Sequence, residues 1–342
     1  MFGRDIGVDL GTANVLVHVR GKGIVLNEPS VVAIESHSKR VVAVGEEARK
    51  MLGRTPGNII AIRPLREGVI ADFEITEVML KHFIKKAIGK SLFSKPRVCV
   101  CIPAGITSVE QKAVRQATEA AGAKRVYLIE EPKAAAIGAG LDITQPSGSM
   151  VVDIGGGTTD VAVLSLGDVV TASSIRVAGD KFDEAIIRYI KRNYNLMIGE
   201  RTAEEIKIRV VSVYADGRRE ELDVRGRDMV SGLPKTVVIR SQEMSDALAE
   251  SVQSIVAASK TVLERTPPEL AADIFDRGVV LTGGGALLHG MDQLLMDELQ
   301  VPVHIADDPM TCVARGTGEF LENIDKWGRP EAGNQQRQRY RN

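Results

Sequence analysis

The chain has 342 residues and a mass of 36.9 kDa, with 44% hydrophobic and 26% charged residues; this excludes disorder along its whole length and leaves room for two domains or one large one. Its 44 Lys and Arg against 45 Asp and Glu leave a net charge of -1, which argues against a basic nucleic-acid binder, and 4% aromatics are too few for a base-stacking platform. Three cysteines make no disulfide framework, no run of about 18 apolar residues offers a membrane span, and the N-terminus enters a strand without space for a signal peptide, so a reducing cytoplasm is the expected setting.

Residues 6–10 and 15–19 are apolar runs joined by Gly11-Thr12-Ala13-Asn14, which predicts a hairpin. Two more strands are expected at 30–34 and 41–44, then a loop at 53–57. Apolar spacing predicts a helix over 76–88, and a continuous apolar run predicts a strand over 97–102. Within that strand Cys99 and Cys101 alternate, so both face one side as buried thiols. Ser108 and Gln111 have capping-box spacing for a helix ending near Gly122. A strand at 125–129 and an Ala-rich helix opened by Pro132 follow.

After a connector at 145–148, a second hairpin is expected from 150–154 and 161–166. A helix at 180–194 and a capping box at Thr202 and Glu205 precede a charged, strand-rich stretch over 209–240. A long helix over 241–265 stops at Pro267-Pro268. A strand at 278–282 meets Gly283-Gly284-Gly285, and a helix at 291–299, a strand at 301–305 and a helix at 309–321 complete the pattern. Alternating strands and helices of this kind define an α/β fold with a partly parallel sheet.

An internal repeat carries the chemistry. Val8-Asp9-Leu10-Gly11-Thr12 recurs as Val152-Asp153-Ile154-Gly155, followed by Gly156-Gly157-Thr158, with the two aspartates 144 positions apart. A Gly-rich turn lets backbone N–H groups approach phosphate oxygens, and Thr hydroxyls add donors. Aspartates at the strand ends suit a Mg²⁺ that keeps several of its waters. One such hairpin alone reads best as a tight turn; the repeated Asp and Thr favour a polyphosphate clamp between two related halves. Gly283-Gly284-Gly285 leaves backbone bare for a flat base and ribose. Neither a P-loop nor a G-x-G-x-x-G fingerprint occurs.

Two further features stay open on the residues alone. Glu131, beside Pro132 at a helix start, reads either as a group that positions an attacking water or, with Glu130, as a complement to the helix dipole. Leu92 and Phe93 stand between small polar residues, with Lys81, Lys85, Lys86, Lys90, Lys95 and Arg97 around them. They read equally as a membrane-inserting loop tip, where burying both is worth roughly 3–5 kcal/mol, or as a pair tucked under the sheet.

The motifs Asp9-Leu10-Gly11-Thr12, Asp153-Ile154-Gly155-Gly156-Gly157-Thr158 and Thr282-Gly283-Gly284-Gly285 resemble the phosphate and adenosine motifs of the actin, sugar-kinase and heat-shock-chaperone ATPases. Asn27-Glu28-Pro29-Ser30, Gly53-Arg54-Thr55-Pro56-Gly57-Asn58 and Ile198-Gly199-Glu200-Arg201-Thr202 narrow the resemblance to the bacterial actin homologues of the MreB family, nearest its Mbl branch in Gram-positive bacteria, over residues 1–321. A kinase on this fold needs a base beside a substrate pocket, for which only Asp160 offers itself. A chaperone needs a C-terminal peptide-binding domain for which the chain ends too early. ATP-dependent sedimentation without an acceptor separates these from a filament-forming ATPase.

The resemblance implies an α/β, actin-like fold of two related domains, each with a ribonuclease-H-like core and a smaller subdomain. The first covers 1–144 with a small part at about 32–68. The second covers 145–324 with a small part at about 182–243; about 309–324 would pack back on the first, and 325–342 form a disordered tail. It further implies ATP and Mg²⁺ as cofactors. Nucleotide contacts would fall on Thr12, Ala13, Asn14, Gly156, Gly157, Thr158, Glu204, Glu205, Ile206, Lys207, Gly283, Gly284, Gly285, Ala286 and Leu287, and water-mediated metal contacts on Asp9 and Asp153. Glu131 and Thr158 would be catalytic, and Leu92 and Phe93 would insert into the membrane. Implied partners are the chain itself in paired antiparallel protofilaments, the anionic inner membrane surface, MreC, MreD, RodZ and wall-elongation enzymes, with no nucleic acid. The implied role is slow, Mg-dependent ATP hydrolysis that switches polymerisation, organises lateral peptidoglycan synthesis and maintains rod shape.

Overall fold

The computed structural model describes residues 5–89, 95–214 and 218–324. Its frame is two five-stranded sheets of one topology. In the first, Asp5–Leu10, Asn14–Val19 and Gly23–Pro29 form an antiparallel meander, and Arg97–Ile102 then Arg125–Glu130 add in parallel beside Asp5–Leu10. In the second, Ser149–Ile154, Thr159–Ser165 and Asp168–Ile175 form the meander, and Val279–Thr282 then Val303–Ile305 add in parallel beside Ser149–Ile154. The internal repeat seen in the residues is thus a repeat of a whole sheet.

Between the sheets lies a shared core. Cys99, Cys101, Tyr127 and Ile129 of the first sheet and Val151, Ala162 and Leu164 of the second meet the helices Glu131–Gly138 and Cys312–Glu322. The alternating cysteines face this core together, as their spacing predicts. Val98, Val100 and Ile102 point the other way, into the core under the helices Phe73–Ile88 and Ser108–Ala120. The second sheet's outer core takes in Gly179–Tyr194 and the long helix Ser241–Glu264.

The two central helices cross with backbones almost touching. A Cβ on Gly316 would overlap the Ala134 carbonyl, and one on Gly138 would overlap the Cys312 carbonyl. Helix Cys312–Glu322 also rests on the first strand, where Gly7 leaves room for Thr317. A smaller three-stranded sheet of Val41–Val44, Val32–Glu35 and Ile59–Ile62 carries the short helix Glu46–Met51. Another joins Leu196–Met197, Glu221–Asp228 and Pro234–Arg240.

Several local expectations are corrected. Gly23–Pro29, Ile59–Ile62 and Asp168–Ile175 are strands, and Glu46–Met51 and Pro268–Arg277 are helices, none of which periodicity marked. Pro267-Pro268 ends one helix and starts the next, because proline is tolerated in a first helical turn. The capping box is Thr107 with Glu110, one residue before the expected pair. Thr202 and Glu205 form none: they lie inside helix Glu200–Arg209, whose N-cap is Gly199. Leu92 and Phe93, and the tail 325–342, lie outside the described residues. Of the cations around that pair, Lys86 is paired with Glu28 at 2.5 Å and Arg97 grips the buried Asp5 at 2.7 Å, so both are engaged within the protein. No helix among the described residues is long and apolar enough to cross a membrane.

Candidate functional site

The two repeated hairpin turns face each other. A Cβ on Gly156 would lie 2.7 Å from the Ala13 Cβ, and one on Gly157 would lie 2.5 Å from Thr12 Oγ1. Glycine is needed at both positions by the opposing turn as well as by any phosphate. Thr12 is buried and its hydroxyl accepts the Gly68 N–H at 3.0 Å. Gly68 has φ +77° and packs on the Thr158 methyl, which ties a third segment to the pair. The first turn is braced by Ser30, whose hydroxyl donates to the Gly11 carbonyl at 2.6 Å and whose N–H donates to the Ala13 carbonyl. Asn14 donates to Asn27 at 3.1 Å.

Strand register assembles the acidic residues. Asp153 stands opposite Asp160 on the neighbouring strand, Asp160 stands opposite Ser174, and Asp153 stands beside Thr282. Thr282 donates to Asp153 at 2.7 Å. Asp9 holds the matching place in the first sheet and accepts from the Cys101 thiol at 3.3 Å. Glu131 begins the helix that leaves the first sheet, between these aspartates; Pro132 is therefore the second helical residue.

Burial pushes Asp9 up to about 6, against the pull of the Cys101 hydrogen bond. Burial raises Asp153 and Asp160 each to about 7, and repulsion among the carboxylates adds to it. Glu131 rises well above the usual carboxylate range, first through burial and then through Asp160, Asp153 and Asp9. Four carboxyls that oppose one another's charge fit a divalent cation, which favours oxygen donors. No three metal-ligating side chains among the described residues converge closely enough to hold an ion directly.

Each raised value means that the folded state holds protons the unfolded state has released, from about pH 4 upward. The stability these groups contribute is full below their unfolded values and is lost as pH rises through 6 to 7. The melting temperature of the nucleotide-free protein is therefore expected to fall between about pH 4 and 7, and Mg²⁺ with ATP to flatten that fall. Calorimetric scans across the range check this; a flat or rising profile without Mg²⁺ and ATP would refute it.

The remaining expected contacts divide. Lys207 reaches the second turn's surroundings: its Nζ lies 3.3 Å from the Gly179 carbonyl and 3.0 Å from Asp183, and the Gly179 and Asp180 N–H groups donate to the Gly155 and Gly156 carbonyls. Glu204, one turn earlier, is exposed. Glu205 is exposed and paired with Arg209 at 2.9 Å, while the Ile206 side chain is wholly in the core and has only backbone to offer a ligand. The three glycines also differ. A Cβ on Gly283 or Gly285 would collide with Ile154, and Gly283 has φ +77°, whereas Gly284 faces open space. Two of the three are set by strand packing, and one leaves room for a ligand. Ala286 is buried and Leu287 is 56% exposed.

Sequence reasoning offered Asp160 only as a base for the kinase reading and gave it no place among the ATP contacts. The signal was present: closing the turn at 155–158 puts 154 opposite 159 and therefore 153 opposite 160. Ion pairs joining the two halves were not legible. Arg63 lies 3.4 Å from Asp180, Arg176 3.5 Å from Glu67, and Lys181 3.6 Å from Glu67.

Two sheets of one topology, each closing its first hairpin on an aspartate and setting that turn against the other's beside a cluster of buried carboxyls, define an actin-like protein. The MreB/Mbl protein family matches residues 3–329, and the chain belongs to that family. It is 69% identical to the cell shape-determining protein Mbl of Bacillus subtilis (strain 168) over 326 residues, covering 95% of this chain and 98% of that one. It is 56% identical to the cell shape-determining protein MreB of Escherichia coli (strain K12), covering 96% of each. The crystal structure of MreB5 of Spiroplasma citri bound to AMPPNP superposes with a TM-score of 0.90 at 41% identity, covering 95% of this chain and 98% of that one.

Proposed function

We propose that this chain is a slow, Mg-dependent ATPase whose nucleotide binds between the halves 1–144 and 145–324 and switches assembly into filaments. The observation that carries the reading is the pair of facing Gly-Thr turns with Asp9, Asp153 and Glu131 between them. The AMPPNP-bound relative supports a nucleotide in such a cleft.

On this reading the backbones of Thr12, Ala13, Asn14, Gly156, Gly157 and Thr158 bind phosphates, and the bare backbone at Gly284 admits the base and ribose. Lys207 is held near the second turn by Asp183. Asp9 and Asp153 would hold Mg²⁺ through its waters, and the ion would supply charge neutralisation for the polyphosphate. Glu131 orients the attacking water, and the Thr158 hydroxyl stands as a second contact at the same point. The cleft's carboxylates need no substrate pocket beside them, which favours ATP as a switch over phosphoryl transfer to an acceptor.

Family membership supports a cellular role that we infer as filaments of paired antiparallel protofilaments, peripheral on the inner face of the cell membrane, that organise lateral peptidoglycan synthesis and keep the cell rod-shaped with MreC, MreD, RodZ and the wall-elongation enzymes. Membrane contact is assigned to Leu92 and Phe93. Sedimentation and electron microscopy of the pure protein, with ATP and Mg²⁺ on anionic vesicles, test both parts. Nucleotide-dependent pelleting without an acceptor is expected, and flotation with vesicles is expected to be lost when Leu92 and Phe93 are both replaced by Ser. No pelleting sinks the filament switch; undiminished flotation of the double variant sinks the loop assignment.

A further inference from the structure

Asp160 is the most completely enclosed carboxylate of the cleft. Its residue is 0% exposed, and its two oxygens are treated differently. Oδ1 accepts the Ala104 N–H at 2.8 Å, a bond that runs from the second sheet to the segment leaving strand Arg97–Ile102 of the first. Oδ2 is buried and makes no hydrogen bond. The Glu131 carboxyl lies within hydrogen-bonding reach of the Asp160 carboxyl, and so do the Ser174 and Thr158 hydroxyls. A buried carboxylate oxygen with no well-formed hydrogen bond is destabilising, so its presence calls for a reason beyond packing.

We propose that Asp160 is a positioning residue for ATP hydrolysis, holding the Glu131 carboxyl in its working orientation through Oδ2 while the Ala104 N–H fixes Asp160 itself through Oδ1. The inference rests on the proposed role of Glu131 and adds to it. Asp160 makes its contacts with Ala104 and Glu131, and its effect passes through Glu131. The bond to Ala104 makes the orientation conditional on the two halves standing together. Parting the halves removes the donor that holds Asp160, and with it the wall against which Glu131 rests. Hydrolysis is thereby tied to the approach of the two halves.

The prediction separates this role from a merely structural one. Asp160→Ala should lower the turnover of Mg-ATP about tenfold and change its KM less than twofold, as expected when a group acts only on the reacting geometry. Asp160→Asn keeps the Ala104 bond and offers Glu131 an amide N–H, and should stay within about threefold of the parent. In a Glu131→Ala background, Asp160→Ala should add less than a twofold loss. Phosphate release is measured for the parent, both single variants and the double variant of the full chain, with folding followed by circular dichroism. If Asp160→Ala does not fold, Asp160→Ser replaces it with the same expectations, since a hydroxyl can still accept from Ala104 without reaching Glu131. The same fractional loss with and without Glu131, or a rise in KM at constant turnover, overturns the proposal. Parent-like turnover of Glu131→Ala alone instead removes the role of Glu131 on which it rests.

Discussion

Glu131→Ala is expected to lower ATP turnover about a hundredfold while nucleotide affinity stays within about twofold. Three observations set the direction. The residue starts the helix that leaves the first sheet, it faces Asp153 and Asp160 of the second, and burial with their repulsion holds its carboxyl far above the usual range. A group that orients water contributes in the transition state and little to the bound ground state. Glu131→Gln keeps a carbonyl oxygen at the same place and should retain more turnover than the alanine variant. Phosphate release and calorimetric affinity, measured side by side for both variants, check this. Full turnover in the alanine variant would return Glu131 to a dipole-complementing residue at a helix start.

Gly316→Ala should destabilise the fold by about 3 kcal/mol or more, at the upper end of what overpacking costs. In an isolated helix the same change would stabilise by about 1 kcal/mol; the sign reverses because the new methyl would overlap the Ala134 carbonyl of the crossing helix. Neither obstacle is a flexible side chain: Gly138 faces the Cys312 carbonyl in the same crossing, so relief requires the helices to part. The crossing lies in the core between the two sheets, and parting it would also disturb the approach of the two halves. Chemical denaturation of the parent, Gly316→Ala and an exposed-helix control checks the magnitude. A variant as stable as the parent would show that the two backbones have space between them.

The site was legible where chemistry requires a particular residue type at a particular chain position. Asp9, Gly11 and Thr12, repeated as Asp153, Gly155 and Thr158, are local and contiguous, and a phosphate-binding turn needs its residues next to one another. The third glycine cluster was legible as a motif, but its reason was only partly so: Gly283 and Gly285 make way for Ile154, a residue 129 and 131 positions away. Lys207 could not be told from a solvated lysine by its neighbours in sequence, since what distinguishes it is Asp183 and the Gly179 carbonyl. Ile59–Ile62 of the small sheet escaped because four residues, three half-buried and one exposed, carry no clear period of two.

By itself the sequence determined the α/β class, the doubled hairpin and the inward-facing cysteines, because periodicity and turn chemistry act over a few neighbouring residues, and the resemblance of its motifs gave the family. Tertiary structure alone decided that the halves share one core through a glycine-to-backbone helix crossing, and that Glu131 joins Asp153 and Asp160 in one acidic cluster. Those outcomes depend on residues brought together from distant segments. The energies that govern them, carbonyl contact, desolvation and charge repulsion, act over a few ångströms of space whatever the separation along the chain.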